Sequence, residues 1–214
     1  MKRWTHWLGI KSPDAKTYVA SAPARDGDLC IQYLGTAGFV ISQDNHYVVL
    51  DPYVTRPALS TSLTQPLVPD AALIQRLIPK ANDVLIGHAH HDHILDGPDL
   101  CKQTGARLIG SSSTMQVGIA AGLPPEQLVS TDGREDITSG SWTVRGFPSR
   151  HGKIFGRIPF PGELTAPPPW PPRMHQLRHG LVLNWLVDTG PCLRHRLSLR
   201  YWAAVATKLR SRCR

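Results

Sequence analysis

Four potential metal ligands fall within six residues, His88-Ala89-His90-His91-Asp92-His93, directly behind the all-apolar run Val84-Leu85-Ile86. A short unbroken apolar run marks a strand buried on both faces, so the cluster leaves the end of an interior strand. Imidazole nitrogen and carboxylate oxygen bind zinc at about 2.0–2.2 Å, and catalytic sites leave one position open for water. In a loop leaving a strand, His88 and His90 can point to one side and share an ion. Asp92 and His93 then turn toward a second position a few Å away. Two ions about 3.5–4 Å apart hold a bridging hydroxide and polarise a substrate. A lone histidine is more often structural, but this density after a strand points to metal chemistry.

The rest of the chain supplies a mixed frame. Cys30 to Thr36 and Gly38 to Ser42 read as strands around a glycine break, and His46 to Leu50 as a third after the turn Gln43-Asp44-Asn45. Short strands at this spacing give an antiparallel start. Residues 56 to 69, with three prolines and several Ser/Thr, read as a surface loop. Asp70 can cap a helix over Ala71–Ile78. A helix near Gly97–Thr104, a strand over Ala106–Gly110 and a helix capped by Ser112 or Ser113 and running to about Ala121 follow. Leu128–Ser130, Trp142–Phe147 and Leu181–Val187 are further strands, the last closed by the turn-like Asp188-Thr189-Gly190. Between Gly156 and Pro172 proline is too dense for helix or interior strand, which leaves a stiff loop, either a surface excursion or a wall over the site.

The H-x-H-x-D-H motif, with the opening strands around Leu34-Gly35-Thr36-Ala37-Gly38-Phe39 and the strand end Leu50-Asp51-Pro52, resembles the metallo-β-lactamase superfamily over residues 30 to 190. In style it is most similar to the predicted zinc hydrolases that include L-ascorbate-6-phosphate lactonase. The resemblance implies an α/β fold, a four-layer αββα sandwich with a two-metal site at one edge. It implies that His88 and His90 ligate the first metal, and Asp92 and His93 the second, Asp92 also orienting or deprotonating the attacking water. His151, after the Trp142–Phe147 strand, matches the histidine that completes the first site. Asp188 in Asp188-Thr189-Gly190 matches a bridging aspartate, although the bulky Val187 before it is atypical and the triplet reads equally as a hairpin turn. His91 sits at a variable position, His175 and His179 line the pocket, bind substrate anions or are merely exposed, and Asp51 is a turn or supporting residue rather than a ligand. The implied cofactor is Zn²⁺, one or two ions, with iron or manganese as alternatives, since N/O donors do not choose among them.

Beyond Gly190 the resemblance stops. Residues 191 to 214 carry seven Lys/Arg and no acidic residue, so most of the formal +8 lies there and the first 190 residues are nearly neutral. Three regions are therefore expected: an extension over 1–29, an incomplete domain over 30–190, and a basic tail over 191–214. A frameshifted tail would leave a family-like continuation with an Asp and a His in another reading frame. A genuine basic amphipathic helix through Leu197, Tyr201, Trp202, Val205 and Leu209 would instead suit an acidic surface.

At 214 residues, 41% apolar and 19% charged, one domain with a substantial core is expected. Four cysteines without C-x-x-C spacing argue against a disulfide framework and against a cysteine zinc site. No leader-like or membrane-spanning run is visible, which suggests a cytoplasmic protein. The leading expectation is metal-assisted hydrolysis of a small ester, lactone, amide or phosphoester. The rivals are iron-dependent redox chemistry on the same fold, and a non-catalytic binder of nucleic acid or membrane surfaces through the tail, which the near-neutral body makes the lesser option.

Overall fold

The computed structural model describes residues 27–154 and 156–190, together with the backbone of 196–199. The expected extension thus lies almost wholly outside the described residues, as do Tyr201, Trp202, Val205 and Leu209 of the tail.

The chain opens as an antiparallel meander of β1 (Cys30–Gly35), β2 (Gly38–Gln43) and β3 (His46–Leu50). The β2–β3 connection has only Asp44 and Asn45 between the paired residues Gln43 and His46, both at positive φ (50° and 62°). Such a primed turn matches the twist of the flanking strands, and Asp and Asn tolerate it better than other non-glycine residues. The chain then crosses over three times. β3 pairs in parallel with β4 (Asp83–Leu85), β4 with β5 (Arg107–Gly110), and β5 with β6 (Leu128–Ser130). Helices α1 (Leu59–Thr64) and α2 (Ala71–Leu77) precede β4, and α4 (Gly97–Thr104) precedes β5. Helix α5 (Ser112–Ala120) fills the last crossover. Asp70 caps α2 as expected, accepting from Leu73 N at 2.9 Å. Helix α1 corrects the reading of 56 to 69 as loop throughout, its weak Ser/Thr-rich pattern having hidden it.

A second, antiparallel sheet runs β10-β9-β8-β7, from β7 (Ile137–Ser139), β8 (Trp142–Ser149), β9 (Val182–Asp188) and β10 (Arg196–Leu199). Period-two alternation in the first sheet explains the layering. Val49, Val84 and Leu108 face the helix side with Ile74, Ile78, Leu100 and Val117. Val48, Leu50, Leu85 and Ile109 face the second sheet, against Trp142, Val144, Leu183, Trp185 and Val187. Helix, sheet and sheet layers of the expected sandwich follow directly from that alternation. In the tail, β10 pairs with β9 from Arg196 opposite Asp188 to Leu199 opposite Trp185. Leu197 therefore belongs to a strand, which corrects its assignment to an amphipathic helix.

Candidate metal centre

Three chain segments meet at one end of the sandwich. Asp51 follows β3, Gly87 and His88 follow β4 and its extension Ile86, and His151 follows β8. Asp51 is buried and holds φ +40°; its Oδ1 accepts the Gly87 N–H at 2.7 Å, which fixes the chain where it enters the motif. From His91 the chain turns into the short helix α3 (His91–Ile94), where a loop was expected. The turn carries Asp92 and His93 away from the extended His88–His90 segment, and so divides the motif between two positions.

Among the described residues two groups can each surround an ion with ligand atoms all within 4.8 Å: His88, His90 and His151, and His88, Asp92 and His93. The groups share His88, so only one can be filled by three side chains of its own. His88 Nε2 stands 3.0 Å from His90 Nδ1. Two imidazole nitrogens at that separation either share a proton or converge on a cation. His151 Nδ1 donates to the Gly152 carbonyl at 2.6 Å, which leaves Nε2 as its lone-pair nitrogen. Hydrogen bonding at the far nitrogen is the usual means of fixing a ligand histidine's tautomer.

The electrostatics favour neutral imidazoles at His88 and His90. Burial, reinforced by His93 and the other nearby histidines, holds His88 far below its ordinary pKa. Burial likewise lowers His90 to about 4, against the opposing pull of Asp92. Metal ligation requires unprotonated histidine, so the donor set suits a cation. His93 behaves oppositely. Burial alone would lower it, but Asp51 and Asp92 outweigh burial and raise it. Its Nδ1 lies 3.3 Å from Asp51 Oδ2, and its Nε2 lies 3.5 Å from Asp92 Oδ2. Burial would raise Asp92, yet His93, His91 and His90 hold it below the usual carboxylate value.

The structure thus brings together His88, His90, Asp92, His93 and His151. It does not bring in Asp188. In the β8–β9 register Val182 pairs with Ser149, next to His151, whereas Asp188 pairs with Thr143 at the other end. Six residues of strand put Asp188 roughly 20 Å away. There its Oδ1 accepts the Gly190 N–H at 3.0 Å, a turn role that corrects the bridging-ligand expectation. His91 turns edge-on to Tyr53, with ring centroids 5.8 Å apart, and joins neither group. His175 is exposed, but His179 stands at the site, its ring 5.8 Å from that of His90 and 5.9 Å from that of His151. The Pro-rich segment lies against the centre, with the Phe160 ring 6.3 Å from His90 and Leu164 N bonded to Ser113 Oγ at 2.9 Å. Of its two readings, a wall over the site fits these contacts.

No family model matches the chain. A UPF0173 metal-dependent hydrolase of Anaeromyxobacter sp. (strain K) is 31% identical over 109 residues, covering 50% of this chain and 36% of the relative. The UPF0173 metal-dependent hydrolase of Myxococcus xanthus (strain DK1622) is 26% identical over 178 residues, 82% of this chain and 54% of the relative. The chain thus spans about a third to a half of the length of these curated relatives. Among solved structures, Igni18, a metallo hydrolase from Ignicoccus hospitalis, aligns with a TM-score of 0.49 at 17% identity, covering 76% of this chain and 57% of Igni18.

Proposed function

We propose that this chain, which is similar to UPF0173 metal-dependent hydrolases, is a zinc-dependent hydrolase of the metallo-β-lactamase fold with one complete metal position. The observation that carries this reading is the convergence of His88, His90 and His151 within 4.8 Å, with His151 held in the ligating tautomer by Gly152. A zinc ion there would lower the pKa of its water toward ~7 and supply a nucleophile at neutral pH. The remaining work falls to the chain's own side chains.

Asp92 is 39% exposed at the mouth of the site and held ionised chiefly by His93. It is an acceptor by chemistry, so in this reading it orients the attacking water and takes its proton. His93, clamped between Asp51 and Asp92, keeps that carboxylate in place. The Phe160 wall closes one side and shields the reacting bond from bulk water. The substrates in view are small esters, lactones, amides or phosphoesters. Asp92 and His93 are the unshared ligands of the second position, which therefore holds an ion weakly or not at all.

Elemental analysis of the full chain tests the reading. About one zinc per chain is expected, retained in Asp188→Ala and lost in His88→Ala. On a panel of chromogenic esters and phosphoesters, Asp92→Asn is expected to lower kcat by about 10²–10⁴-fold. A chain without bound metal, or a His88→Ala variant with a full ion, overturns the site. Two stoichiometric zincs with robust turnover overturn the single-position reading.

A further inference from the structure

His179 belongs to neither ligand group, yet its place beside the centre is built by several independent bonds. The His179 carbonyl accepts Ala89 N–H at 3.0 Å, which ties it to the residue between His88 and His90. The His179 N–H donates to the Phe160 carbonyl at 3.3 Å, and the Gly180 N–H to Gly162 O at 2.9 Å. Leu183 N–H reaches Gly87 O at 2.7 Å, which locks the start of β9 to the entry of the motif. At Gly180 φ is +63°, and a Cβ there would run into Ser113, so this corner requires glycine.

The ring is fixed as firmly as the backbone. His179 Nδ1 lies within hydrogen-bond reach of the Gly180 carbonyl. A carbonyl only accepts, so Nδ1 carries a proton and is committed to Gly180, which leaves Nε2 as the ring nitrogen available to a ligand. His151 is set the same way by Gly152, and the two rings stack with 22° between their planes. One of these matched histidines is within ligand reach of His88 and His90, and the other stands just outside.

Resting on the metal reading above, we infer that His179 is a positioning residue of this site, whose Nε2 accepts a hydrogen bond from a protic oxygen of a small ligand entering beside His88, His90 and His151. It follows that the site prefers ligands that carry a donor, such as a hydroxyl or the P–OH of a monohydrogen phosphate, over aprotic anions of similar size.

Cobalt(II)-loaded full chain provides the test, read from its visible absorption as inorganic phosphate or thiocyanate is added at neutral pH. His179→Ala is expected to bind cobalt as the wild type does and to weaken phosphate about 3–10-fold, the scale of one hydrogen bond, with thiocyanate unchanged. His179→Gln, whose amide oxygen still accepts, is expected to recover most of the phosphate affinity. His179→Leu, which keeps more of the ring's volume, takes the place of the alanine variant if that fails to fold. Loss of cobalt to the extent seen in His151→Ala would make His179 a ligand and overturn the inference. Equal effects on the two anions, or none on either, overturn it as well. A wild-type chain that takes up no cobalt at all refutes the metal reading itself, and this inference with it.

Discussion

Asp51 shows how one buried side chain can organise a centre without ligating it. Its two oxygens point to different tasks, Oδ1 to the Gly87 N–H and Oδ2 toward His93 Nδ1. The first bond holds the backbone that delivers His88, and the second keeps the His93 ring turned toward Asp92. A carboxylate that holds a histidine in this way commonly matters almost as much as the histidine itself. Asp51→Ala would leave a buried backbone donor without its acceptor. The expected cost is about 1–3 kcal/mol of unfolding free energy in the metal-free chain. Urea denaturation measures it, and a variant within about 0.5 kcal/mol of wild type would remove Asp51 from this role.

At the scale of elements, the strands and the motif were legible because each carries a local signal. Val84-Leu85-Ile86 is apolar on both faces, His46–Leu50 follows a two-residue turn, and four of the five candidate ligands fall within six residues, with His151 at the end of a readable strand. Asp188 was not legible, because its resemblance to a bridging aspartate is local whereas its position depends on the β8–β9 register. The same register sets the start of β9 at the metal end and its finish at the far end, so the aspartate closes a hairpin. His179 was undervalued for the converse reason. Nothing near it in sequence marks it, and its position rests on the bond to Ala89, ninety residues earlier. Strand β7, three residues long, offered too little pattern to read. Gly180 tests the element-level argument. Gly180→Ala forces a side chain into left-handed backbone and against Ser113, at an expected cost of about 1–3 kcal/mol. The thermal midpoint should fall accordingly, and an unchanged midpoint would mean that the corner relaxes freely.

For the whole molecule, the end opposite the metal centre matters as much, because there polar contacts join the two sheets alongside the apolar layer between them. Asp83 at the start of β4 is buried and receives Arg107 Nε and Nη2 at 2.6 and 2.9 Å. Ser139 on β7 donates its single hydroxyl proton to the same carboxylate. Its oxygen is then left to accept from His46 Nε2, 2.8 Å away on β3. The chain of bonds therefore fixes neutral His46 with its proton on Nε2, and charging the ring would place a second proton on Nδ1, close to Gly140 and beside the Trp142 ring. Burial lowers the His46 pKa, Arg107 lowers it further, and Asp83 pulls against both without prevailing. A histidine whose folded pKa lies below its unfolded value binds fewer protons when folded. Its contribution is fully present above about pH 6.5 and declines as pH falls toward the folded value. His46→Gln keeps a donor toward Ser139 but cannot titrate. Comparing urea midpoints of the metal-free proteins at pH 8 and pH 5 isolates this contribution, since the centre's own histidines titrate alike in both. The wild type is expected to lose more stability than His46→Gln across that interval. Equal losses would mean that His46 charges without disturbing the join between the sheets.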